Sequence, residues 1–361
     1  MTVGIITYHN ACSYGAHLQA YALQEAIRSI NHNPMIIDYK GVGFTPAGMK
    51  DFKKVLRKPW QVIESYNQYV MKKKMASFSS FQNRTCHYSS YRELMSIPPE
   101  FDAYICGSDQ IWQPKLLLDG RIVQDEFFLS FVQRGKRKIS YAPSFGTIPN
   151  DEYVRRITPL LMSFDNISVR EESMVGIIRR AVGVSPQIVC DPTILVGKEV
   201  FENLLPLRSE QNQGALFFPL TINQSRDPKI CKEVQKRYKR LRIVGRGRRF
   251  LFIGENYIPS PIEWMASIRD ADFVLTNSFH GTVFSILFHK PFITLNWAND
   301  LQNIRVKNLL ERVGLESRFY SNEEVSGFFD VADAEIDWCS VDEKLETWRK
   351  QSFEFLKKAL I

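Results

Sequence analysis

A histidine lies between two apolar segments, in the run TNSFHGT at residues 276–282. The preceding residues, DFVLT, predict a buried strand, and the following residues, VFSILF, predict a helix. The first turn of such a helix directs backbone N–H groups and the positive end of the helix dipole at a bound anion, and Asn277 or Ser278 can cap it. His280 would lie beside that anion, where its imidazole can donate a proton. The alternative is a histidine with a structural role only.

An arginine follows another short apolar segment, in the run ISVREES at residues 167–173. The pattern predicts that Arg170 lies at the carboxyl end of a strand, where a helix begins. A guanidinium in this position is suited to bidentate recognition of a carboxylate or a phosphate. The alternative is a surface ion pair between Arg170 and Glu171 or Glu172.

Polar residues also follow the apolar segment AYIC, in the run GSDQIW at residues 107–112. Asp109 and Gln110 are expected at the carboxyl end of a strand, which is the edge of a parallel sheet where ligands bind. Ser108 or Asp109 can also cap a following helix. The two roles are compatible, and Asp109 and Gln110 are therefore candidates for a site.

The turn after the first apolar segment, residues 8–16, combines small and polar side chains. It joins a predicted strand to a predicted helix, which makes His9, Asn10 and Tyr14 candidates for ligand contacts. The turn has one glycine and does not match a dinucleotide-binding motif. The spacing of histidine and cysteine near it matches no standard metal site, and the sequence predicts no bound metal.

Short apolar segments alternate with helical periodicity along the chain, which is typical of βαβ units and a doubly wound parallel sheet. Strands are predicted at residues 3–8, 34–39, 103–106, 138–142, 166–170, 187–190, 214–220, 240–244, 272–276 and 291–295. A helix is predicted at residues 17–30, and an amphipathic helix at residues 342–359.

The pattern starts again after Asp191-Pro192, which predicts two Rossmann-like domains facing a cleft, an α/β fold of the glycosyltransferase-B type. The N-terminal domain is predicted at residues 1–195, with a basic helical insertion at about residues 50–84. The C-terminal domain, residues 196–340, carries the SFHG segment as an anion site. Residues 341–361 are predicted to form a C-terminal helix.

Basic residues are concentrated in two regions of a chain whose formal net charge is +8. Residues 50–84 contain nine Lys or Arg against two acids, and residues 226–249 contain eleven against two. Such regions favour an anionic partner or are ordinary solvated helix faces. The first region also has apolar residues at helical spacing, namely Phe52, Leu56, Trp60, Ile63, Tyr66 and Val70. This helix therefore either lies on an anionic membrane surface or packs on its own domain.

The composition favours a protein of the cytoplasm. A hydrophobic content of 44% and a charged content of 24% are ordinary for a soluble globular protein. The chain has no apolar run of about 18 residues and no recognisable signal peptide. Its six cysteines are scattered without a C-x-x-C pair, which indicates neither a zinc motif nor a disulfide framework and fits a reducing compartment.

Together these segments resemble the polysaccharide pyruvyl transferase family. The blocks that carry the resemblance follow one another over about residues 3–315. They are SYGA (13–16), LQAYAL (18–23), FDAYICGSDQIW (101–112), ISYAPSFG (139–146), ISVREES (167–173), CDPTIL (190–195), TNSFHGTVFSILFHKPF (276–292) and NIRVKNLLERVGL (303–315).

The resemblance implies an enzyme that moves the pyruvyl group of phosphoenolpyruvate onto two hydroxyls of a saccharide as a ketal, with release of phosphate. It implies phosphoenolpyruvate as a co-substrate and no cofactor. The acceptor is expected to be an exopolysaccharide, capsule or cell-wall glycan precursor. Because such units are usually built on a lipid carrier, the expected partners extend to a lipid-linked acceptor and an anionic membrane at its inner face.

By the same resemblance, His280 matches the family's catalytic histidine and Arg170 matches an arginine proposed to hold phosphoenolpyruvate. Asp109 is our candidate for the general base. Some members have an arginine two residues before the histidine, where this chain has Ser278, and Arg305 or Arg246 is a candidate replacement. The remaining assignments are donor binding for Asn277, Ser278, Gly281 and Thr282, and acceptor binding for His9, Asn10, Tyr14 and Gln110.

Three other functions stay open. A nucleotide-sugar-dependent glycosyltransferase can have the same fold, since fold does not determine function. A relative without catalytic activity can retain saccharide binding alone. A nucleic-acid-binding module would explain the basic regions, but these contain no recognised nucleic-acid motif, and no nucleic-acid partner is expected.

Overall fold

The computed structural model of the protein describes residues 1–39, 41, 59–114, 121–208, 214–219, 227–245, 250, 252–296, 300–321 and 324–361, and for residues 59–64 and 300–302 only the backbone. Within these ranges the chain forms two parallel sheets covered by helices. The predicted α/β fold with two Rossmann-like parts is therefore confirmed. The predicted apolar residues Phe52, Leu56, Trp60 and Ile63, as well as Arg246, lie outside the described side chains.

The first sheet has seven strands, all paired in parallel. They are β1 (Thr2–Ile6), β2 (Asn33–Tyr39), β3 (Arg84–Tyr88), β4 (Ala103–Cys106), β5 (Arg137–Ser140), β6 (Asn166–Val169) and β7 (Gln187–Ile188). Their order is β3-β2-β1-β4-β5-β6-β7. The order reverses between β1 and β4, and ligands of such sheets bind at the carboxyl ends of the strands beside this switch point.

The second sheet repeats this arrangement with six parallel strands. They are β8 (Ala215–Phe218), β9 (Leu241–Val244), β10 (Glu255–Tyr257), β11 (Phe273–Thr276), β12 (Phe292–Leu295) and β13 (Phe319–Tyr320). Their order, β10-β9-β8-β11-β12-β13, reverses between β8 and β11. The residues of β11 are all buried, as expected for a strand covered by helices on both faces.

Helices connect the strands. They are α1 (Tyr14–Ser29), α2 (Pro59–Ala76), α3 (Tyr91–Ser96), α4 (Asp151–Leu161), α5 (Ser173–Val182), α6 (Pro192–Glu202), α7 (Asp227–Tyr238), α8 (Pro261–Arg269), α9 (Phe279–Leu287), α10 (Asp300–Val313), α11 (Phe328–Asp333) and α12 (Trp338–Leu360). Short 3-10 turns occur at Ser77–Phe81, Asp125–Phe128 and Glu316–Arg318.

The chain divides into two compact units, each with its own core. The first unit comprises residues 1–46, 79–200 and 345–361, and the second comprises residues 47–78 and 201–344. Helix α2, within the predicted insertion, is thus grouped with the second unit, where Asn256 donates a hydrogen bond to Asn67 (3.2 Å). The end of α12 is grouped with the first unit, where Ser352 Oγ accepts from the N–H of Cys190 (2.9 Å).

Candidate functional site

Thr276 joins the carboxyl ends of the two strands at the switch point of the second sheet. Its hydroxyl donates to the carbonyl of Phe218 at the end of β8 (3.0 Å) and accepts from the N–H of Ser278 (3.0 Å). The side chain of Thr276 is completely buried. These bonds fix the turn from β11 into α9 and so position the residues that follow.

Ser278 caps α9, so the structure selects it over Asn277 as the cap. Its backbone is extended, with φ −100° and ψ 136°, and its Oγ accepts from the N–H of Gly281 (3.3 Å). Gly281 is required because a Cβ there would lie 2.3 Å from Thr276 Oγ1. The N–H and the hydroxyl of Thr282 both donate to the carbonyl of Ser278 (2.9 and 3.0 Å). Gly281 and Thr282 therefore use these donors to build the turn itself.

His280 lies in the first turn of α9 and is 7% exposed. Its ring meets the ring of Phe279 edge-on, with centroids 5.2 Å apart. The first turn of α9 contains no acidic residue, so no carboxylate of that turn offsets the positive end of the helix dipole. The Arg305 guanidinium from α10 lies 5.8 Å from the centroid of the Phe279 ring. A histidine, a cation and a helix start thus occur together, an arrangement suited to an anion.

Arg170 follows β6 in the first unit and is only 4% exposed. One terminal nitrogen of its guanidinium lies 2.6 Å from Oδ2 of Asp191, and both side chains of this ion pair are buried. The same nitrogen donates to Ser108 Oγ. The expected alternative of a surface ion pair is therefore wrong, because Arg170 is paired with Asp191 in the interior.

Ser108 connects the ends of several strands of the first sheet. Its N–H donates to Gln19 of α1 (3.1 Å), and its Oγ donates to the carbonyl of Ala142 after β5 (2.9 Å). Its carbonyl accepts from the hydroxyl of Thr7 after β1 (3.0 Å). The network places Arg170 in a framework that includes both strands of the switch point, β1 and β4.

Asp109 is partly exposed and adopts a left-handed backbone with φ 72°. Its Oδ1 accepts from the N–H of Gln110 (2.8 Å), and its carbonyl accepts from the N–H of Ser144 (2.9 Å). No helix begins within residues 109–114, so the predicted role of Ser108 or Asp109 as a helix cap is wrong for this segment. Burial, and then the negative charges of Asp109 and Glu126, raise the pKa of Tyr8, which follows β1.

The four candidates for acceptor binding differ in exposure. Asn10 and Gln110 are partly exposed, whereas His9 is 0% and Tyr14 2% exposed. Nδ1 of the His9 ring lies 3.1 Å from the carbonyl oxygen of Thr7, and Nε2 lies 3.0 Å from the carboxylate of Asp38. His9 and Tyr14 are therefore buried residues that support the turn after β1. Asn10 and Gln110 are accessible to a ligand.

The Asp38 carboxylate is the centre of an ionic cluster around His9. Burial alone would raise the pKa of this group, but hydrogen bonds and charges from His9, His87 and Arg84 outweigh it and lower the pKa to about 2. Asp38 therefore keeps its negative charge across the physiological range.

The predicted residues fall into two groups. Residues 277, 278, 280, 281 and 282 lie in the second unit, and residues 9, 10, 14, 109, 110 and 170 lie in the first. The contacts of Asp191 and Ser108 with Arg170 were not predicted from the sequence. Asp191 could have been noticed because an Asp-Pro helix start follows a predicted strand, and Ser108 because it belongs to the GSDQ run. Among the described side chains, His, Cys, Asp and Glu form no group of three or more that could hold a metal ion.

A sequence model of the polysaccharide pyruvyl transferase family matches residues 14–299. The chain belongs to this family. The match includes both Arg170 with its partner Asp191 and the turn that carries His280. A search of the curated proteins found no match.

Solved structures show the fold that this family member shares with other proteins. A UDP-GlcNAc 2-epimerase from Methanocaldococcus jannaschii is similar with a TM-score of 0.51 and 10% identity, covering 93% of each chain. A UDP-glucosyltransferase from Polygonum tinctorium is similar with a TM-score of 0.50 and 10% identity, covering 99% of this chain and 97% of that one. At this identity the likeness establishes the glycosyltransferase-B type of fold. No helix in the described ranges is long and apolar enough to span a membrane.

Proposed function

We propose that this polysaccharide pyruvyl transferase uses phosphoenolpyruvate as its donor and joins the three-carbon unit to two hydroxyls of one saccharide. The family match over residues 14–299 carries the proposal. Each unit supports it by itself, because the first contains an arginine and the second a helix start with a histidine, and both features are suited to an anionic group.

The reaction begins with protonation of C3 of phosphoenolpyruvate, which makes C2 electrophilic. A sugar hydroxyl adds to C2 and loses its proton to a base. The C2–O bond to phosphate breaks, and a second hydroxyl closes the ketal with loss of its own proton. The products are a pyruvate ketal and inorganic phosphate, so the site must bind a carboxylate and a phosphate, supply one proton to C3 and one to the departing phosphate, and accept one proton from each hydroxyl.

The second unit contains groups that are suited to a phosphate. His280 donates a proton or stabilises the departing phosphate, and the start of α9 contributes the positive end of its dipole. Arg305 supplies the positive charge that some family members carry two residues before the histidine, where this chain has Ser278. Asn277 and Ser278 hold the turn in the conformation that presents these groups.

The first unit contains groups that are suited to a carboxylate and to a saccharide. Arg170 holds the donor carboxylate through its planar guanidinium. Asp109, partly exposed at the carboxyl end of β4, is the base that accepts a proton from the attacking hydroxyl. Asn10 and Gln110 donate and accept hydrogen bonds to sugar hydroxyls. No step requires a resident metal or organic cofactor.

Ligand-dependent thermal unfolding and phosphate release test the proposal. Phosphoenolpyruvate should raise the melting temperature, whereas UDP-sugars should leave it unchanged. Addition of extracts containing glycan precursors should then release phosphate and produce a saccharide whose mass and NMR spectrum show a pyruvate ketal. Stabilisation by UDP-sugars and not by phosphoenolpyruvate would replace this function with a nucleotide-sugar glycosyltransferase.

We also propose a cytoplasmic location with peripheral contact at the inner membrane face, where a lipid-linked acceptor would be met. On α2, Tyr66 and Tyr69 are 63% and 67% exposed, and Lys72 and Lys73 are exposed beside them. The opposite face of α2 is occupied, since Lys74 pairs with Glu263 (3.1 Å). Exposed tyrosines beside lysines are typical of helices that lie on an anionic lipid surface.

Sedimentation with vesicles tests the membrane contact. The protein should sediment with vesicles containing phosphatidylserine at low salt and be released at high salt. Lys72→Glu with Lys73→Glu should abolish this binding, whereas Lys357→Glu with Lys358→Glu, another exposed pair at the end of α12, should not. Equal binding by the two charge-reversed variants would show that α2 is not the contact.

A further inference from the structure

The carboxylate of Asp191 is fixed on both of its oxygens. Oδ2 faces the guanidinium of Arg170 at 2.6 Å, and Ser108 Oγ lies 3.4 Å from the same oxygen. Oδ1 accepts from the N–H and from the hydroxyl of Thr193, at 2.9 and 2.6 Å, in the first turn of α6. With these contacts the carboxylate has one orientation, and it imposes that orientation on Arg170.

The backbone beside Asp191 is fixed as well. The N–H of Cys190 donates to Ser352 of α12 (2.9 Å), and its carbonyl accepts from the hydroxyl of Tyr141 (3.1 Å). Tyr141 and Ser352 are both completely buried. The position of Asp191 is therefore held by buried contacts among β5, β7 and α12.

A pair of this kind contributes little to stability compared with apolar side chains of the same volume, because both charges lose their hydration. The pair instead fixes the direction in which the guanidinium of the arginine points. Arginine recognises a carboxylate through two parallel N–H groups of a planar fork, so a rotated guanidinium loses much of the contact even when its charge remains in place.

We infer that Asp191 is a positioning residue that orients the Arg170 guanidinium toward the carboxylate of the donor. The inference rests on the proposed function, since it takes phosphoenolpyruvate as the ligand of Arg170. Ser108 has the same role to a smaller extent, because its Oγ contacts both members of the pair.

Binding of phosphoenolpyruvate to four forms of the protein tests this role. The forms are wild type, Asp191→Asn, Arg170→Ala and the double variant, studied by calorimetric titration. Asp191→Asn should weaken binding by about tenfold, because it keeps the shape of the side chain and removes the charge that orients the guanidinium. Arg170→Ala should weaken it further, and the double variant should equal Arg170→Ala, because Asp191 acts only through Arg170.

The matched control is Asp270→Asn in the second unit. Asp270 forms a comparable pair with Arg269, at 2.7 Å and with side chains 12% and 5% exposed. Its variant should lower the melting temperature and leave the dissociation constant of phosphoenolpyruvate unchanged. Should Asp191→Asn fail to fold, Ser108→Ala replaces it in the same cycle, with an expected loss of about threefold.

The outcomes separate the inference from the function on which it rests. A wild-type protein that does not bind phosphoenolpyruvate overturns the proposed donor and the inference together. Binding that is lost in Arg170→Ala but retained in Asp191→Asn overturns the inference alone. An effect of Asp191→Asn that persists in the double variant also overturns it, because Asp191 would then act independently of Arg170.

Discussion

The electrostatic surroundings of Arg170 and of His280 are opposite in kind. Arg170 is a cation in the interior whose charge is balanced by Asp191 at 2.6 Å. At His280, the first turn of α9 has no acidic residue, and Arg305 adds a further positive charge over the Phe279 ring. The surroundings of Arg170 therefore fix the orientation of a guanidinium whose charge is balanced. The surroundings of His280 provide a positive electrostatic potential.

This difference assigns different tasks to the two regions. A balanced, rigid guanidinium suits a planar carboxylate, for which direction matters most. A helix start with a histidine suits a phosphate, whose charge increases as its bond to carbon breaks.

The largest effect is expected from His280→Ala. The variant should reduce transfer by at least about a hundredfold, because general acid catalysis contributes about 10²–10⁴ to a rate. The measurement is phosphate release, with circular dichroism to show that the fold persists. His289→Ala, which removes a histidine paired with Asp342 (2.9 Å) on the surface of the same unit, is the control and should keep its activity. Activity of His280→Ala equal to that of this control would remove His280 from the mechanism.

Arg170→Ala should raise the dissociation constant of phosphoenolpyruvate by about tenfold to a hundredfold, because a charge-assisted contact contributes about 1.5–3 kcal/mol. It should also lower the free energy of unfolding by about 3–5 kcal/mol, since Asp191 is left as an uncompensated charge in the interior. Titration calorimetry and urea denaturation measure the two effects. Arg170→Lys keeps the charge but not the fork, and donor binding as strong as in wild type would contradict the directional role.

Arg305→Ala tests whether positive potential matters at the His280 region. We expect a loss in donor affinity of about threefold to fivefold, typical of a partly exposed charge at a helix terminus. Lys307→Ala is the matched control, since Lys307 is on the same helix and lies over Phe319 at 5.2 Å, away from the start of α9. Equal effects of the two variants would mean that Arg305 acts only through the general charge of the helix.

The smallest effect on activity is expected from Asp38→Asn, which changes stability instead. The pKa of Asp38 is lowered from 3.8 to about 2, so its charge contributes stability above pH 4 that is lost as the pH falls through 2. This shift corresponds to about 2 kcal/mol. Urea denaturation at pH 7 should show this loss in the variant, and the difference from wild type should shrink as the pH is lowered below 4. A difference that is constant with pH would mean that packing, not charge, is responsible.

The fold could be predicted where strands are apolar throughout. The residues AYIC and FITL form β4 and β12 within a residue of the predicted bounds. The strands β3, β10 and β13 were missed, because RTCHY and ENY are polar edge segments and FY has only two residues. A polar edge strand is recognised from its pairing with a neighbouring strand. The pattern of apolar residues within the segment itself does not contain this information.

For the site, the sequence predicted the turn that carries His280, because its strand, cap and helix are adjacent in the chain. It did not predict the partner of Arg170. Glu171 and Glu172 were the local candidates, whereas Asp191 reaches Arg170 only because β6 and β7 are neighbours in the sheet. A contact that depends on which strands are neighbours in the sheet cannot be inferred from the spacing of residues in the sequence.

The first unit is completed by a helix that lies far from the Asp191 turn in the sequence. Ser352 and Arg349 of α12 bond to Cys190 and to Leu195 on either side of that turn, across separations of 162 and 154 residues. Contacts between residues so far apart in the sequence form slowly, because loop closure costs conformational entropy. We therefore expect the Asp191 turn, and with it the orientation of Arg170, to reach its final geometry late in folding, after α12 has docked on the first unit.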